Sequence, residues 1–255
     1  MTDKVLIEDV GAIRLITMNN PGTLNAFDAE MLLGTVEAFD AAGRDDAVRV
    51  VVLTGAGRAF CSGGDTGTMG AEVEAGENLG FLTGAVHQVP LAIRRCPRPV
   101  IAMVNGPAVG AGLDIALACD LRTVAQGAAL LEGYVRAGLA AGDGGAWLLP
   151  RLVGTGRALE LLLTARRIPA DEAVRIGLAA SAHEPEELRE ATLDLAGSIA
   201  QHPPRALAAM KNLVHQSQDV SFEVGLQLGA SAVAILQDGA EHREAVARLR
   251  KRDRA

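Results

Sequence analysis

The chain has 255 residues, 49% hydrophobic and 22% charged, which excludes intrinsic disorder over most of its length and fits one large globular domain. Its 24 Lys and Arg against 31 Asp and Glu give a formal charge of −7, which argues against binding nucleic acid over the whole surface. An anionic ligand therefore needs a local source of positive potential.

Aromatic residues make up only 3%, so the core is built from Ala, Val, Leu and Ile. Cys61, Cys96 and Cys119 are odd in number and far apart in sequence, which predicts reduced thiols in a cytosolic protein. Met1-Thr2-Asp3-Lys4 runs straight into a strand pattern, so no secretory leader is expected. The longest apolar runs, such as Pro99–Val104, are far short of the ~20 residues of a membrane span. A soluble, cytoplasmic protein is expected.

In chain order, Val5–Ile7 and Ala12–Met18 predict a hairpin about Asp9-Val10-Gly11. Asp28 caps a helix from Ala29 to about Ala42, whose apolar stripe is Met31, Leu32, Val36 and Phe39. Val48–Leu53, Val100–Val104 and Leu121–Ala125 read as buried strands. One helix is predicted over Asn78–Arg95, ended by Pro97 and Pro99, and another from Gly110 to Cys119. Gly138–Gly145 reads as a loop. Helices follow at Gly156–Thr164, from Pro169 to Gly177, at Glu186–Gln201, Arg205–Gln216 and Phe222–Leu236, and then a charged tail, Glu241–Arg254. The class is a compact α/β core with a C-terminal helical extension.

Three Gly-rich segments carry the chemistry. In Ala59-Phe60-Cys61-Ser62-Gly63-Gly64-Asp65, adjacent glycines let backbone N–H groups approach a ligand. In Asn105-Gly106-Pro107-Ala108-Val109-Gly110-Ala111-Gly112-Leu113-Asp114, a strand enters a small-residue loop and a helix start, where free N–H groups favour negative charge. Neither a phosphate loop nor a clean dinucleotide fingerprint is present, since Ile115 stands where a third glycine belongs. In Gly138–Trp147, Asp143 sits among glycines ahead of the only tryptophan, which is ordinarily a core residue.

Together these segments resemble the crotonase (enoyl-CoA hydratase/isomerase) superfamily over essentially the whole chain. The ordered matches include Asn25-Ala26, Val50–Gly55, Ala59–Asp65, Pro99–Ala102, Asn105-Gly106, Cys119-Asp120, Pro150–Gly154 and Arg243-Glu244. The resemblance implies a spiral of ββα repeats over residues 1–195 and a C-terminal helical trimerisation region over 196–255. A homotrimer or dimer of trimers would use apolar positions such as Leu226, Ala230, Val233 and Leu236. It also implies an acyl-CoA substrate, with CoA entering as part of the substrate. No metal, flavin or nicotinamide is expected, as no histidine pair has the spacing of a zinc site. An RNA-binding role exists within the superfamily, but the charge of −7 and the lack of a basic stripe argue against a nucleic-acid partner, and no membrane partner is expected.

By the same resemblance, the Gly64 and Ala111 amides would hold the thioester oxygen. The adenine would lie by the Asn25-Ala26 turn and the Cys61, Ser62 and Gly63 backbone, with Asp65 in the same cofactor-binding set. Lys211 would approach a CoA phosphate. Of the two glutamates that the family's hydratases use, the first aligns with Asp114 and the second falls on Tyr134. Tyr, with an ordinary pKa near 10, is a poor base but a competent orienting donor. Glu132 would share a strand face with Tyr134, though a glutamate is ordinarily solvent-facing or structural. Asp143 lies in the loop where some isomerases and hydrolases of the family place a catalytic aspartate. Two carboxylates in one cleft raise each other's pKa, which suits proton transfer.

Hydration of a 2-enoyl-CoA is the default reaction. Double-bond isomerisation, which needs one base, comes second, C–C hydrolysis or decarboxylation ranks lower, and a non-catalytic CoA-binding scaffold is the reading from another class. Cys61 has no histidine near it in sequence and reads as a packed residue. His87, His183, His202, His215 and His242 read as exposed.

Overall fold

The computed structural model describes residues 3–64 and 74–252. A six-stranded sheet runs in the order β1 (Val5–Val10), β2 (Ile13–Met18), β3 (Val50–Gly55), β4 (Val100–Val104), β6 (Leu121–Ala125) and β8 (Ser181–His183). The β1–β2 hairpin is antiparallel, turned by Gly11 at φ +60°, and every later pairing is parallel. All residues of β3 and β4 are buried, as expected for central parallel strands covered on both faces. A second, two-stranded sheet pairs β5 (Ala108–Val109) with β7 (Leu130–Leu131), and a bridge from Cys61 to Ala108 extends it.

Helix α1 (Ala29–Arg44) starts where predicted, with Asp28 Oδ1 accepting the Met31 N–H at 2.9 Å. Helices α2 (Ala75–Phe81), α3 (Gln88–Arg95) and α4 (Ala111–Ala118) follow in the first half. The predicted single helix over 78–95 is broken: a π turn over Leu82–Val86 separates α2 from α3. Pro90, just after it, has no N–H and its ring displaces the carbonyl four residues back, so a regular α-helix cannot run through.

The second half holds α5 (Gly145–Val153), which the sequence reading missed, α6 (Thr155–Thr164), α7 (Ala170–Arg175) and α8 (Leu188–Ala200), which packs across β2, β3, β4 and β6. Helices α9 (Pro204–Ser217), α10 (Phe222–Gln237) and α11 (Ala240–Arg252) follow, so the expected charged tail is a helix. The segment after β7 is a short 3-10 turn, Tyr134–Ala137, and not a strand. Glu132 and Tyr134 therefore do not share a strand face. Among the described residues no helix is long and apolar enough to cross a membrane.

Candidate active site

The first two Gly-rich segments lie backbone on backbone. Phe60 and Cys61 N–H groups donate to Pro107 O at 3.1 Å, and Val109 N–H donates to Cys61 O at 3.0 Å. Gly63, at φ +84°, sits so close that a Cβ there would lie 2.7 Å from Val109 O and 3.5 Å from the Ala111 nitrogen. Ala111 opens α4, where an N–H has no intrahelical acceptor. Gly64 forms a bridge to Phe27. The segments that carry the Gly64 and Ala111 amides are thus brought side by side.

Two side-chain amides, Asn25 and Asn105, brace this junction. Asn25 is fully buried; its Nδ2 donates to Ala56 O and Ala59 O at 2.9 and 2.8 Å, and its Oδ1 accepts from Asn20 N–H at 2.8 Å. Asn105 Nδ2 donates to Gly55 O and Gly57 O, while its Oδ1 accepts from Gly55 N–H. The side chains of Asn25, Ala26 and Cys61 are buried, so this turn offers a ligand backbone and not side chains. Ser62 is partly exposed, with its hydroxyl donating to Thr23 O at 3.1 Å, and Asp65 lies outside the described residues.

Asp114, in the first turn of α4, is fully buried. The Tyr134 hydroxyl lies 2.6 Å from Asp114 Oδ2 and 3.0 Å from Asp143 Oδ2. Asp143 Oδ1 in turn faces His87 Nε2 at 3.3 Å. Glu132, read from sequence as solvent-facing or structural, is instead 1% exposed, and neither of its carboxyl oxygens nor Asp114 Oδ1 has a hydrogen-bond donor among the described residues' side chains. Gly145 shows why these acids meet: a Cβ there would collide with Asp114 Oδ1 and lie 3.1 Å from both Glu132 oxygens. The fold thus gathers Asp114, Tyr134 and Asp143, and adds Glu132 and His87.

Burial dominates the electrostatics. Desolvation pushes Asp114 up to about 6, although the Tyr134 hydroxyl, the Gly145 N–H and Glu132 all favour its ionised form. Glu132 is raised much further, first by burial and then by the Asp114 charge, so Glu132 keeps its proton and Asp114 is the member of the pair that ionises. Burial and the surrounding acids hold the Tyr134 hydroxyl far above its ordinary range, so it acts as a donor and never as a base. The Cys61 thiol is pushed up to about 12 by burial, which fits a packed residue and not a nucleophile.

A pH dependence follows. Folding raises the Asp114 value from 3.8, so the folded state holds that proton more tightly than the unfolded chain. This group's contribution to stability is therefore full below about 3.8 and declines as pH rises through about 6. A reaction that uses Asp114 as its base runs the other way, because only the ionised form accepts a proton. The expected kcat/KM profile rises through an acid limb near pH 6, and that limb disappears in Asp114→Asn.

Lys211 does not stand free for a phosphate. Its ammonium is buried and donates to Ile93 O, Arg98 O and Asp120 Oδ2 at 3.0, 3.1 and 2.9 Å, which uses all three N–H bonds. Asp120 also faces His215 Nε2 at 2.9 Å and accepts from Val100 N–H, so the cluster ties α9 to the start of β4. Burial alone would raise Asp120, but His215 and Lys211 hold it below the usual carboxylate range. Lys211→Ala is expected to destabilise the protein by about 3–5 kcal/mol, the cost of breaking a buried ion pair, and to leave KM for an acyl-CoA within about twofold. Denaturant midpoints and initial rates measured together check this.

Sequence reasoning missed His87 and undervalued Glu132. Of the histidines read as exposed, His87 and His215 each face a carboxylate and are only partly exposed. No local pattern marks His87, because its partner sits in a distant loop. Trp147, read as core, is 37% exposed, with the Arg151 and Arg94 guanidinium carbons 3.7 and 5.0 Å from its ring centre. Among the described residues no group of three or more His, Cys, Asp or Glu is arranged to hold a metal ion.

The model of the family described as enoyl-CoA hydratase/isomerase matches residues 8–253. A probable enoyl-CoA hydratase of Rhodobacter capsulatus is 40% identical over 92% of this chain and 90% of its own. The 1,2-epoxyphenylacetyl-CoA isomerase of Escherichia coli is 32% identical over 96% and 95%. The crystal structure of an enoyl-CoA hydratase from Bacillus anthracis superposes with a TM-score of 0.92 at 29% identity, covering 98% of this chain and 97% of that one. With the paired Gly-rich loops and the buried acids in place, the chain belongs to the enoyl-CoA hydratase/isomerase family.

Proposed function

We propose that this protein hydrates a 2-enoyl-CoA through an enolate held by the Gly64 and Ala111 amides. The observation that carries the reading is the Asp114–Tyr134–Asp143 cluster, seated on the helix whose first amide is Ala111. Asp114 takes a proton from water as the water oxygen adds to the β-carbon. The double-bond electrons move onto the thioester oxygen, where preorganised N–H donors stabilise the developing charge by several kcal/mol. Collapse of the enolate delivers that proton from Asp114 to the α-carbon, with Asp143 held beside it through Tyr134. Tyr134 orients both carboxylates. Backbone donors also explain how a chain of net charge −7 holds an anion.

Double-bond isomerisation is the second reading. It is favoured by the single ionising carboxylate of the Asp114–Glu132 pair, since one base moved between two carbons suffices. A non-catalytic scaffold is disfavoured by the burial of Asp114 and Glu132 beside a partly buried Asp143, with no Lys or Arg bonded to them among the described residues, an arrangement costly to keep without a use. Loss of enoyl-thioester absorbance on adding purified protein to crotonyl-CoA supports hydration. Binding without turnover there, with turnover of a 3-enoyl-CoA, supports isomerisation.

The same reading gives a cytoplasmic trimer or dimer of trimers, with residues 1–195 as the spiral core and 196–255 as the assembly region. Its support is the apolar surface of α10, where Phe222, Leu226, Val233 and Ile235 are all exposed in the single chain. Sedimentation is expected to give a mass of three or six chains, and a one-chain mass contradicts it.

A further inference from the structure

Tyr134 has one hydroxyl proton and two carboxylates to satisfy. Asp114 Oδ2 is the nearer at 2.6 Å and Asp143 Oδ2 the farther at 3.0 Å, so the two compete for one donor. Asp143 divides its oxygens: Oδ2 faces Tyr134 and Oδ1 faces His87 Nε2 at 3.3 Å. Beyond Asp114 lies Glu132, whose carboxyl is buried and has no donor among the described residues. The contacts form one line from a ring that is 33% exposed to a carboxyl that is 1% exposed.

The backbone places His87 at the head of this line. Its N–H donates to Leu82 O at 2.9 Å, closing the π turn, and it immediately precedes α3. Such turns are rare and concentrate at functional sites.

Among the described residues, His87 is also the only basic group paired with this line. Among the described residues, no Lys or Arg pairs with Asp114, Glu132 or Asp143. Helix α1 turns the uncharged Met31, Thr35 and Phe39 inward and keeps Glu30, Glu37 and Asp40 exposed. Asp114 is the one charged residue of α4. On α3 itself, Arg94 stands near Trp147 and Arg95 is exposed, while Glu77 of α2 is exposed as well.

We infer that His87 is the positioning residue of this site: its charge decides whether Asp143 competes for the Tyr134 proton, and so how firmly Tyr134 holds Asp114. With His87 protonated, Asp143 is satisfied from its outer side and Tyr134 donates to Asp114. Without that outer contact, Asp143 turns to the Tyr134 hydroxyl and draws it away from Asp114. The inference rests on the reading of Asp114 as the base, and it names the group through which the buried acids sense solvent.

Tyr134 is the only tyrosine in the chain, so one 13Cζ-tyrosine label reports on it alone. In Asp114→Asn, where Asp114 itself no longer titrates, the resonance is expected to step with pH. Adding His87→Gln, which keeps a donor toward Asp143 but cannot titrate, is expected to abolish the step. In otherwise wild-type protein, His87→Ala lowers kcat about tenfold, the loss of one ~1.4 kcal/mol polar contact, with KM within about twofold. His87→Gln restores most of the rate, and it carries the test alone where His87→Ala fails to fold. A resonance that is flat in Asp114→Asn, or that still steps with His87→Gln added, overturns the inference. Failure to turn over any enoyl-CoA overturns the hydratase reading instead and leaves the resonance to decide this one.

Discussion

Asp114→Asn is expected to lower the rate of hydration by 10²- to 10⁴-fold, the range of a lost general base, while leaving the protein as stable as before or more so at neutral pH. The two effects have opposite signs for a physical reason. Asp114 is fully buried, and its ionised form is disfavoured there, so neutralising it removes a desolvation penalty. Asn keeps the shape and still accepts from the Tyr134 hydroxyl. A structural aspartate at a helix N-terminus behaves otherwise, because its removal costs stability through the lost dipole interaction. Rates and denaturant midpoints of the one variant therefore separate the roles. A fall in stability with the rate intact contradicts the catalytic assignment.

Gly112→Ala is expected to lower kcat about 100-fold, the worth of one oxyanion donor, although Ala is the better helix former by about 1 kcal/mol. Gly112 lies in the first turn of α4, and a Cβ there would collide with Cys61 O and lie 2.7 Å from the Cys61 carbonyl carbon. That backbone cannot yield, since Val109 N–H holds Cys61 O at 3.0 Å and Pro107 O holds Cys61 N–H at 3.1 Å. The helix must move instead, and it carries Ala111 away from Gly64. Overpacking of this kind also costs about 1–3 kcal/mol of stability. The contrast is Gly156→Ala in α6, where a Cβ meets nothing within 4 Å and helix propensity alone decides in favour of the substitution. A Gly112→Ala enzyme with undiminished kcat contradicts the side-by-side placement of the two amides.

Local chemistry made much of this legible in the sequence. Gly11 marks the hairpin, Asp28 the start of α1, and the unbroken apolar runs of β3 and β4 mark buried parallel strands. The Gly-rich segments mark the two facing loops, and the family resemblance singles out Asp114, Tyr134 and Asp143, which the fold brings together. What was not legible depends on tertiary contact. The helix over 78–95 matches in pattern, yet Pro90 forces a π turn that sequence periodicity does not register. Glu132 was assigned by the usual exposure of glutamate, and only the closure of Gly145 over it explains its burial. Lys211 looks like any surface lysine until α9 is docked and Asp120 appears beside it. His87 gains its meaning only from a loop far along the chain.

The central claim is that water adds across an enoyl thioester here with Asp114 as the base. Its most direct test is mass analysis of the product after incubating the protein with crotonyl-CoA in 18O-water. The account predicts a 3-hydroxyacyl-CoA carrying one labelled oxygen, formed by the wild-type protein and at least 100-fold more slowly by Asp114→Asn. Substrate consumed without label, or label incorporated at the same rate in Asp114→Asn, contradicts it.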